Sequence, residues 1–306
     1  MERELVVLGT ASQAPTRHRN HNGYLLRWDG HHILFDPGEG TQRQLVLAGL
    51  SGADVHRICL THFHGDHCFG LPGVLARMAL DHAGGPVPIH HPVEGAEQLA
   101  HLELAAPPHD PVPVVHHPAR GDGDAVETPV GTLAARRLDH GPVPTVGWRL
   151  DEPDGRRLLP ERLEQLGIEG PDRARLVEHG HVEVDGRTVT VEEVSVERPG
   201  QHFAFVMDTR WCDGALALAD GVDLLVCEST FLDAERDLAE RWFHLTARDA
   251  ARLAVEAGAR RLVLTHYSQR HPDERDFLRE AEDEAAGRVE IVAARDLDRI
   301  AVPPRR

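Results

Sequence analysis

Short apolar runs alternate with segments of helical periodicity along most of the chain. Runs of four to six apolar positions suit buried β-strands better than helices. They fall at residues 4–8, 31–36, 57–62, 203–208, 223–229, 261–266 and 289–294. Segments with helical spacing follow or precede several of them, at residues 70–83, 244–259 and 273–287. Strands that alternate with helices predict an α/β protein built from layered sheets.

The helix predicted within residues 244–259 has well-defined ends. Thr246 is a suitable N-cap, Asp249 follows three residues later, and Gly258 marks the stop.

The middle of the chain is different. Residues 105–125 are rich in proline, glycine and aspartate and predict a loop. Residues 152–187 lack a strong apolar face, so we expect an excursion from one domain that spans residues 1–306.

Composition indicates an ordinary soluble globular protein. Apolar residues make up 41% and charged residues 27% of the 306 positions. No run of about 18 apolar residues is present, so we expect no membrane span. The N-terminus enters a strand-like run without a basic start, which favours a cytoplasmic protein. Four scattered cysteines predict reduced thiols rather than a disulfide framework.

The charge balance narrows the function classes. A formal net charge of -17 argues against a protein that coats nucleic acid by bulk electrostatics. The chain contains no lysine, so all 33 basic residues are arginines, which suit two-point phosphate contacts. A local groove lined by arginines could therefore still bind nucleic acid, despite the negative net charge.

The segment THFHGDH concentrates candidate metal ligands directly after an apolar run. It places His62, His64, Asp66 and His67 within six positions. Since the chain has 22 histidines, one histidine alone is weak evidence for a metal site. The cluster is either a metal site or a polar surface turn.

Three apolar runs end in a side chain of a metal-binding type. These are His62, Asp208 and His266. The carboxyl ends of strands in α/β sheets are where ligands collect, so the three could converge on one point. This pattern favours the metal site over the polar turn.

Four ligands so close in sequence do not suit one tetrahedral ion. Zinc takes about four ligands, and His62 and His64 lie on the same side of an extended segment. A turn at Gly65 can carry Asp66 and His67 to a neighbouring position. Two ions bridged by a carboxylate from elsewhere, roughly 3.5–4 Å apart, are easier to accommodate.

At these residues the chain resembles the metallo-β-lactamase superfamily, and within it the ribonuclease Z family. The resemblance extends over nearly the whole chain and rests on an ordered set of segments. They are GTASQAPTRHRN at 9–20, FDPGEGTQRQL at 35–45, LDHGPVPTVGWRL at 138–150, FVMDT at 205–209, HLTARDA at 244–250 and LTHYSQR at 264–270. It implies a four-layer αβ/βα sandwich, with residues 152–187 as an inserted flexible arm.

The resemblance also implies a site. For the first metal it gives His62, His64 and His140, for the second Asp66, His67 and His266, and Asp208 is shared by both. Two zinc ions per subunit are implied, with manganese as the alternative for an oxygen and nitrogen ligand set. Asp66 would be the general base, and His244 would assist proton transfer or stabilise charge on the phosphate.

The implied activity is removal of the 3′ trailer from precursor tRNA, by a homodimer. The implied RNA contacts are Arg17, Arg19 and Asn20 near the acceptor stem, and Gly170, Pro171, Arg173 and Arg175 in the arm. Two departures stand out. The arm carries many acidic residues where the family is basic, and Met207 stands before Asp208 where a small residue is usual.

Two other functions are compatible with the residues. One is a small-molecule hydrolase of the same superfamily, such as a cyclic-nucleotide phosphodiesterase or an arylsulfatase-like enzyme, which the acidic net charge suits better. The other is a non-catalytic metal-binding scaffold. The scaffold is the weakest, because every ligand position is filled and Asp66 is present.

Overall fold

The computed structural model of the chain describes residues 3–105 and 111–305. Its strands are β1 (Glu4–Gly9), β2 (Gly23–Trp28), β3 (His31–Phe35), β4 (Arg57–Cys59), β5 (Val87–Pro92), β6 (Val114–Ala119), β7 (Asp122–Thr128), β8 (Gly131–His140), β9 (Val143–Asp151), β10 (Gly155–Leu158), β11 (His181–Val184), β12 (Arg187–Thr190), β13 (Ser195–Arg198), β14 (His202–Val206), β15 (Leu224–Glu228), β16 (Arg261–Thr265), β17 (Glu290–Ala293) and β18 (Arg299–Ala301). Its α-helices are α1 (Thr41–Leu47), α2 (Gly65–Cys68), α3 (Leu71–Leu80), α4 (Ala96–Ala105), α5 (Pro160–Gln165), α6 (Pro171–His179), α7 (Asp213–Ala219), α8 (Arg236–Trp242), α9 (Ala247–Glu256) and α10 (Arg275–Ala285).

Two large sheets form the main unit, Met1–Asp151 with His202–Pro304. One has the strand order β18-β1-β2-β3-β4-β5-β6, and the other has the order β17-β16-β15-β14-β9-β8-β7. The inner faces of both sheets supply one buried cluster, in which Phe35 stacks on Phe205 with ring centroids 4.7 Å apart. Burying a side chain of this size stabilises the fold by about 1.5–3 kcal/mol.

Helices cover the outer face of each sheet. Side chains of α1, α3 and α4 pack on the first sheet, and those of α7, α9 and α10 pack on the second. The resulting order of layers is helix, sheet, sheet, helix. Every apolar run predicted as a strand contributes a strand to these sheets, so the predicted layered α/β architecture is confirmed.

The predicted start of the helix after residue 244 is also correct in detail. Thr246 is the N-cap of α9, and its hydroxyl accepts a hydrogen bond from the Asp249 backbone N–H at 3.1 Å. The Asp249 carboxylate in turn accepts from the Thr246 backbone N–H, which completes a capping box. The turn before this helix, which carries His244, is thereby fixed.

The loop predicted over residues 105–125 is wrong for its second half. Residues 106–110 lie outside the described residues, but 114–119 form β6 and 122 onwards form β7. Each is the outermost strand of its sheet. An edge strand tolerates proline, such as Pro118, because one side of its backbone needs no partner. The polar and proline-rich composition therefore marked sheet edges rather than a loop.

The predicted excursion at residues 152–187 lies inside a second compact unit that contains Glu152–Gln201. This unit holds α5, α6 and the antiparallel pairs β10–β13 and β11–β12. It has a small apolar cluster of its own, formed by Leu163, Ile168, Leu176, Val182, Val189 and Val194. These residues are spread over two helices, a hairpin and the segments that connect them, so no single periodic stretch revealed them.

Candidate metal centre

Seven predicted ligands stand where strands of the main unit end or on the short helix that follows β4. His62 and His64 follow β4, and Asp66 and His67 lie on α2. The last residue of β8 is His140, Asp208 follows β14, and His266 directly follows β16. Asp208 and His266 have positive φ angles of 39° and 62°. This left-handed backbone is uncommon for residues other than glycine and turns each chain sharply at the strand end.

The first group consists of His62, His64, His140 and Asp208. One ligand atom from each lies within 4.8 Å of the others. The Asp208 Oδ2 is 3.6 Å from His62 Nε2 and 3.7 Å from His140 Nε2. His64 is exposed, so it forms the open side of this group.

The second group consists of Asp66, His67 and His266, whose ligand atoms also lie within 4.8 Å of one another. The Asp66 Oδ2 is 3.4 Å from His67 Nε2 and 3.5 Å from His266 Nε2. Both of these nitrogens are 3.2 Å from Asp208 Oδ1. The two oxygens of Asp208 therefore face different groups, which is the arrangement of a bridging carboxylate.

Hydrogen bonds at Nδ1 fix the tautomer and the ring orientation of two ligand histidines. His67 Nδ1 lies 2.8 Å from Asp36 Oδ2 and His140 Nδ1 lies 3.2 Å from the Phe243 carbonyl. Carboxylate and carbonyl oxygens only accept, so each Nδ1 donates its proton. The Nε2 of each ring therefore carries the lone pair that a cation would take, although the Asn22 amide nitrogen lies 3.2 Å from that of His67.

Threonine hydroxyls fix the rings of His62 and His266 in the same way. Thr61 Oγ1 donates to Asp36 at 2.6 Å and lies 3.0 Å from His62 Nδ1. Thr230 Oγ1 donates to a carboxylate at 2.6 Å and lies 2.7 Å from His266 Nδ1. Because each hydroxyl proton is already committed, the hydroxyl accepts from the imidazole, and Nε2 again carries the lone pair.

Two buried atoms at the middle of the site have no hydrogen-bond partner among the described residues. They are Asp208 Oδ1 and His266 Nε2. Buried polar atoms are almost always satisfied in folded proteins. An acceptor oxygen and an imidazole lone pair that face each other are both satisfied by a cation. The donor set therefore fits a metal centre.

The environment favours the neutral imidazole at the three histidines of the first group, whereas at His67 the nearby carboxylates outweigh burial and raise the pKa. Burial, together with neighbouring histidines, lowers the pKa of His62 well below its usual value. Burial likewise lowers the pKa of His64 and of His140, although Asp208 opposes the shift in both. A metal ligand must be a neutral imidazole, so this direction suits the proposed role.

Sequence reasoning missed Glu228, which the structure places behind His244. Glu228 is fully buried at the end of β15, and its carboxylate accepts hydrogen bonds from Thr209 N at 2.8 Å and from Thr230 Oγ1 at 2.6 Å. His244 Nδ1 donates to the same carboxylate at 2.9 Å. Burial alone would lower the pKa of His244, but the charge and hydrogen bond of Glu228 raise it to about 9.

His244 itself belongs to the centre. A ligand-type atom of His244 lies within 4.8 Å of such atoms of Asp208 and His266. Its ring centroid is 5.1 Å from that of His140. Because Glu228 holds Nδ1 of His244, the Nε2 of the ring points away from this carboxylate. His244 can therefore donate a hydrogen bond or a proton to a group bound at the centre.

Asp36 was also missed. It is fully buried after β3 and accepts from the backbone N–H of Thr61 at 2.7 Å as well as from His67. His62 was identified because it ends an apolar run. Asp36 and Glu228 also end apolar runs, so the same pattern would have found both. Both are acidic residues that orient a ligand or its neighbour rather than face the ions.

The predicted acceptor-stem loop divides into one exposed residue and two anchored ones. Arg17 is exposed. Arg19 is buried: its guanidinium donates to the His271 carbonyl at 2.7 Å and lies 4.8 Å from the centroid of the Tyr267 ring. Asn20 donates to the Glu39 carbonyl at 2.8 Å. Arg19 also pairs with Glu274 at 3.4 Å, so it holds this loop, and its contact with RNA stays a prediction.

The predicted arm residues lie on or beside α6. Gly170 precedes the helix with φ 49° and ψ -121°, a conformation that favours glycine, and Pro171 begins the helix. Arg173 and Arg175 are both exposed, and Arg175 pairs with Asp172 at 3.1 Å. Their guanidinium groups are accessible to solvent, and their role in RNA binding stays a prediction.

Two family models match parts of the chain. The model described as "Anti-Pycsar protein Apyc1" matches residues 3–106, and the model described as "Beta-lactamase superfamily domain" matches residues 172–267. Curated relatives match almost the full length. Ribonuclease Z of Salinispora arenicola is 55% identical over 304 residues, which cover 99% of this chain and 97% of the relative. Ribonuclease Z of Streptomyces coelicolor is 55% identical over 305 residues, which cover 99% of each.

Solved structures show the same architecture. The short form of human tRNase Z matches with a TM-score of 0.69 at 25% identity, covering 98% of this chain and 100% of that chain. The metallo-beta-lactamase fold protein YhfI from Bacillus subtilis matches with a TM-score of 0.70 at 16% identity and the same coverage, which shows the shared fold. The predicted metallo-β-lactamase fold is confirmed.

Proposed function

The chain belongs to the ribonuclease Z family, a family of hydrolases, and from this premise we propose that it removes the 3′ trailer of precursor tRNA. In this proposal it is an endoribonuclease that leaves a 3′-hydroxyl on the tRNA. The observation that carries the proposal is the two-group centre around Asp208, built from the residues that the family pattern specifies. Near-full-length identity to proteins named ribonuclease Z supports it.

The two groups would hold two zinc ions per subunit, with Asp208 shared between them. Imidazole nitrogens and carboxylate oxygens are zinc ligands, and manganese is the alternative for such a set. When bound, the ions would supply positive charge that activates water and offsets the charge on the phosphate. The Nδ1 hydrogen bonds described above would hold the rings in place before any ion arrives.

Asp66 is the general base of the proposed reaction. Its carboxylate lies beside His67 and His266. The residue is only 7% exposed, so bulk water has little access to the carboxylate. In this position it orients the attacking water and accepts its proton. It also contributes to the second group, and its replacement would affect both roles.

His244 is the proposed proton donor to the leaving oxygen. Glu228 fixes its Nδ1 and favours the imidazolium form. A 3′-oxygen of ribose is a poor leaving group, and protonation in the transition state makes its departure easier. The same imidazolium offsets charge on the phosphate. Because His244 carries out this step through its other nitrogen, Glu228 acts only as a positioning residue.

An exposed aromatic residue close to His244 in the sequence favours RNA over a small phosphodiester. Trp242 ends α8 two residues before His244 and is 55% exposed. The Arg241 guanidinium lies 5.2 Å from its ring centroid. Exposed aromatic and arginine side chains stack on unpaired bases with little sequence preference, which suits a single-stranded trailer. Exposed Arg17 adds a phosphate contact near the same substrate in this proposal.

The proposed enzyme is a homodimer. The helices α1 and α3 pack together. They expose Val46, Leu47 and Leu80, with exposed fractions of 51%, 50% and 72%. Exposed apolar side chains on neighbouring helices are candidates for a contact with a second subunit. The proposal places the dimer in the cytoplasm with its tRNA substrate; within the described residues, no helix has the length and hydropathy needed to cross a bilayer.

The direct test is a precursor tRNA that carries a 3′ trailer, compared with bis-p-nitrophenyl phosphate. Cleavage beside the discriminator nucleotide supports the proposal. Turnover of the small ester with an intact precursor would favour the small-molecule phosphodiesterase instead. Asp66→Asn protein purified in parallel is the control for a contaminating nuclease, because it keeps the size of the side chain and removes the base.

A further inference from the structure

A second group of nitrogen-bearing side chains lies on strands β3 to β6 of the first sheet. Arg57 is the first residue of β4 and His31 is the first residue of β3, whereas His62 and Asp36 follow the carboxyl ends of those strands. We call Arg57, His31, His90 and His117 the Arg57 cluster. None of these residues has a part in the proposed reaction.

Arg57 is a buried cation without a counter-ion. It is 7% exposed, and in residues 3–105 and 111–305 no carboxylate lies within ion-pair distance of it. The hydrogen bond that its guanidinium makes goes from Nη1 to Nε2 of His90, and its buried Nε has no partner among the described residues. A buried charge is normally paired, because taking it out of water is costly.

The neighbours of Arg57 are neutral imidazoles rather than acids. His90 is 3% exposed and stacks on His117 with ring centroids 4.7 Å apart. Burial and the Arg57 charge lower the pKa of His90 to about 2 and that of His31 to about 4. His31 Nε2 is a second buried nitrogen without a partner in the described part of the chain. The cluster therefore combines one full positive charge with unused hydrogen-bonding capacity.

We propose that the Arg57 cluster binds a small oxyanion of the phosphate or sulfate class. A guanidinium fork matches two oxygens of such an ion, and Arg57 Nε is available for one of them. The half-exposed rings of His31 and His117 lie at the rim and would admit the ion. Since Arg57 is more than nine-tenths buried, its guanidinium suits a small free ion rather than the phosphate backbone of RNA.

The test compares thermal unfolding of the zinc-loaded protein in inorganic phosphate and in chloride at equal ionic strength. The variants are Arg57→Gln and, as a matched control, Arg43→Gln, since Arg43 is exposed and makes no ion pair in the described residues. Phosphate should raise the Tm of the wild type and of the control, and Arg57→Gln should lose at least half of that rise. In chloride, Arg57→Gln should unfold at the same temperature as the wild type or higher, because it removes an unpaired buried charge.

An equal phosphate response in Arg57→Gln and wild type would overturn the proposal, because the ion would then act elsewhere, such as at the metal centre. If the variant does not fold, ring nitrogen signals of His31 and His90 in the wild type provide the measurement during phosphate titration. Saturable shifts support the site, and unmoved signals contradict it. Cleavage of precursor tRNA by Arg57→Gln should be unchanged, which separates this site from the proposed reaction.

Discussion

The imidazole of His244 donates a hydrogen bond at 2.9 Å to Glu228, a carboxylate that is fully buried at the end of a central strand. This pair explains why a histidine at the start of a helix, where a positive charge is slightly unfavourable, can be cationic. The negative charge that favours the imidazolium comes from the second sheet rather than from the helix. The pair therefore joins a strand end to the metal centre.

Glu228→Gln separates proton donation from the other roles of the centre. The glutamine keeps the shape of the side chain but removes the charge that favours His244 in its cationic form. We expect kcat for precursor tRNA to fall by about 10²-fold or more, the range of general acid catalysis. Turnover of bis-p-nitrophenyl phosphate should fall much less, because p-nitrophenolate leaves without a proton and only the charge that His244 offsets on the phosphate is affected. Equal losses on both substrates, with metal content unchanged, would contradict this role.

Two substitutions test whether Asp208 is shared. Asp208→Ala should reduce the zinc bound by both groups, because each of its oxygens faces one of them. His64→Ala should halve the zinc content, since His64 belongs only to the first group. Elemental analysis of the purified variants gives the stoichiometry. Full zinc content in Asp208→Ala would show that this carboxylate is not a bridge.

Asp66→Asn tests the general base. The amide cannot accept the proton of the attacking water, so cleavage of both precursor tRNA and the small phosphodiester should fall by about 10²-fold or more. Zinc analysis of the same sample distinguishes loss of the base from loss of an ion. Retained activity with full zinc content would remove Asp66 from this role.

The arm arginines should act on RNA alone. Arg173→Ala with Arg175→Ala should weaken tRNA binding and reduce its dependence on salt, since each lost phosphate contact lowers the number of counterions released. Turnover of the small ester should be unaffected. Arg279→Ala, an exposed arginine on α10 of the main unit, is the matched control. The same salt dependence in the double variant and in the control would exclude the arm from tRNA binding.

Trp242→Ala tests the aromatic platform. Loss of one stacked base costs about 1–3 kcal/mol, so KM for precursor tRNA should rise by roughly 5–150-fold with kcat less affected. Trp242→Phe should recover most of the loss because it keeps an aromatic face. An unchanged KM in Trp242→Ala would place the trailer elsewhere.

Local signals were sufficient for most of the fold and for six of the seven expected ligands. Strands were recognisable because four to six buried positions leave an apolar run, and His62, Asp208 and His266 stood out because they end such runs. The structure brings them together with His140, for which the residues alone gave no reason and the family resemblance did. Convergence of strand ends is a property of the sheet, and periodicity along the chain does not encode it.

The misses have a common physical basis. Glu228 and Asp36 were passed over because a search for ligands ignores the residues that hold ligands. The strand β6 was assigned to a loop because edge strands accept proline and polar residues. In each case tertiary partners decide the outcome.

The most direct measurement is to map the ends of the products that the zinc-loaded protein makes from a precursor tRNA. The account predicts one cut directly after the discriminator nucleotide, with a 3′-hydroxyl on the tRNA and a 5′-phosphate on the trailer. An intact precursor, from protein that holds two zinc ions and hydrolyses bis-p-nitrophenyl phosphate, would contradict it.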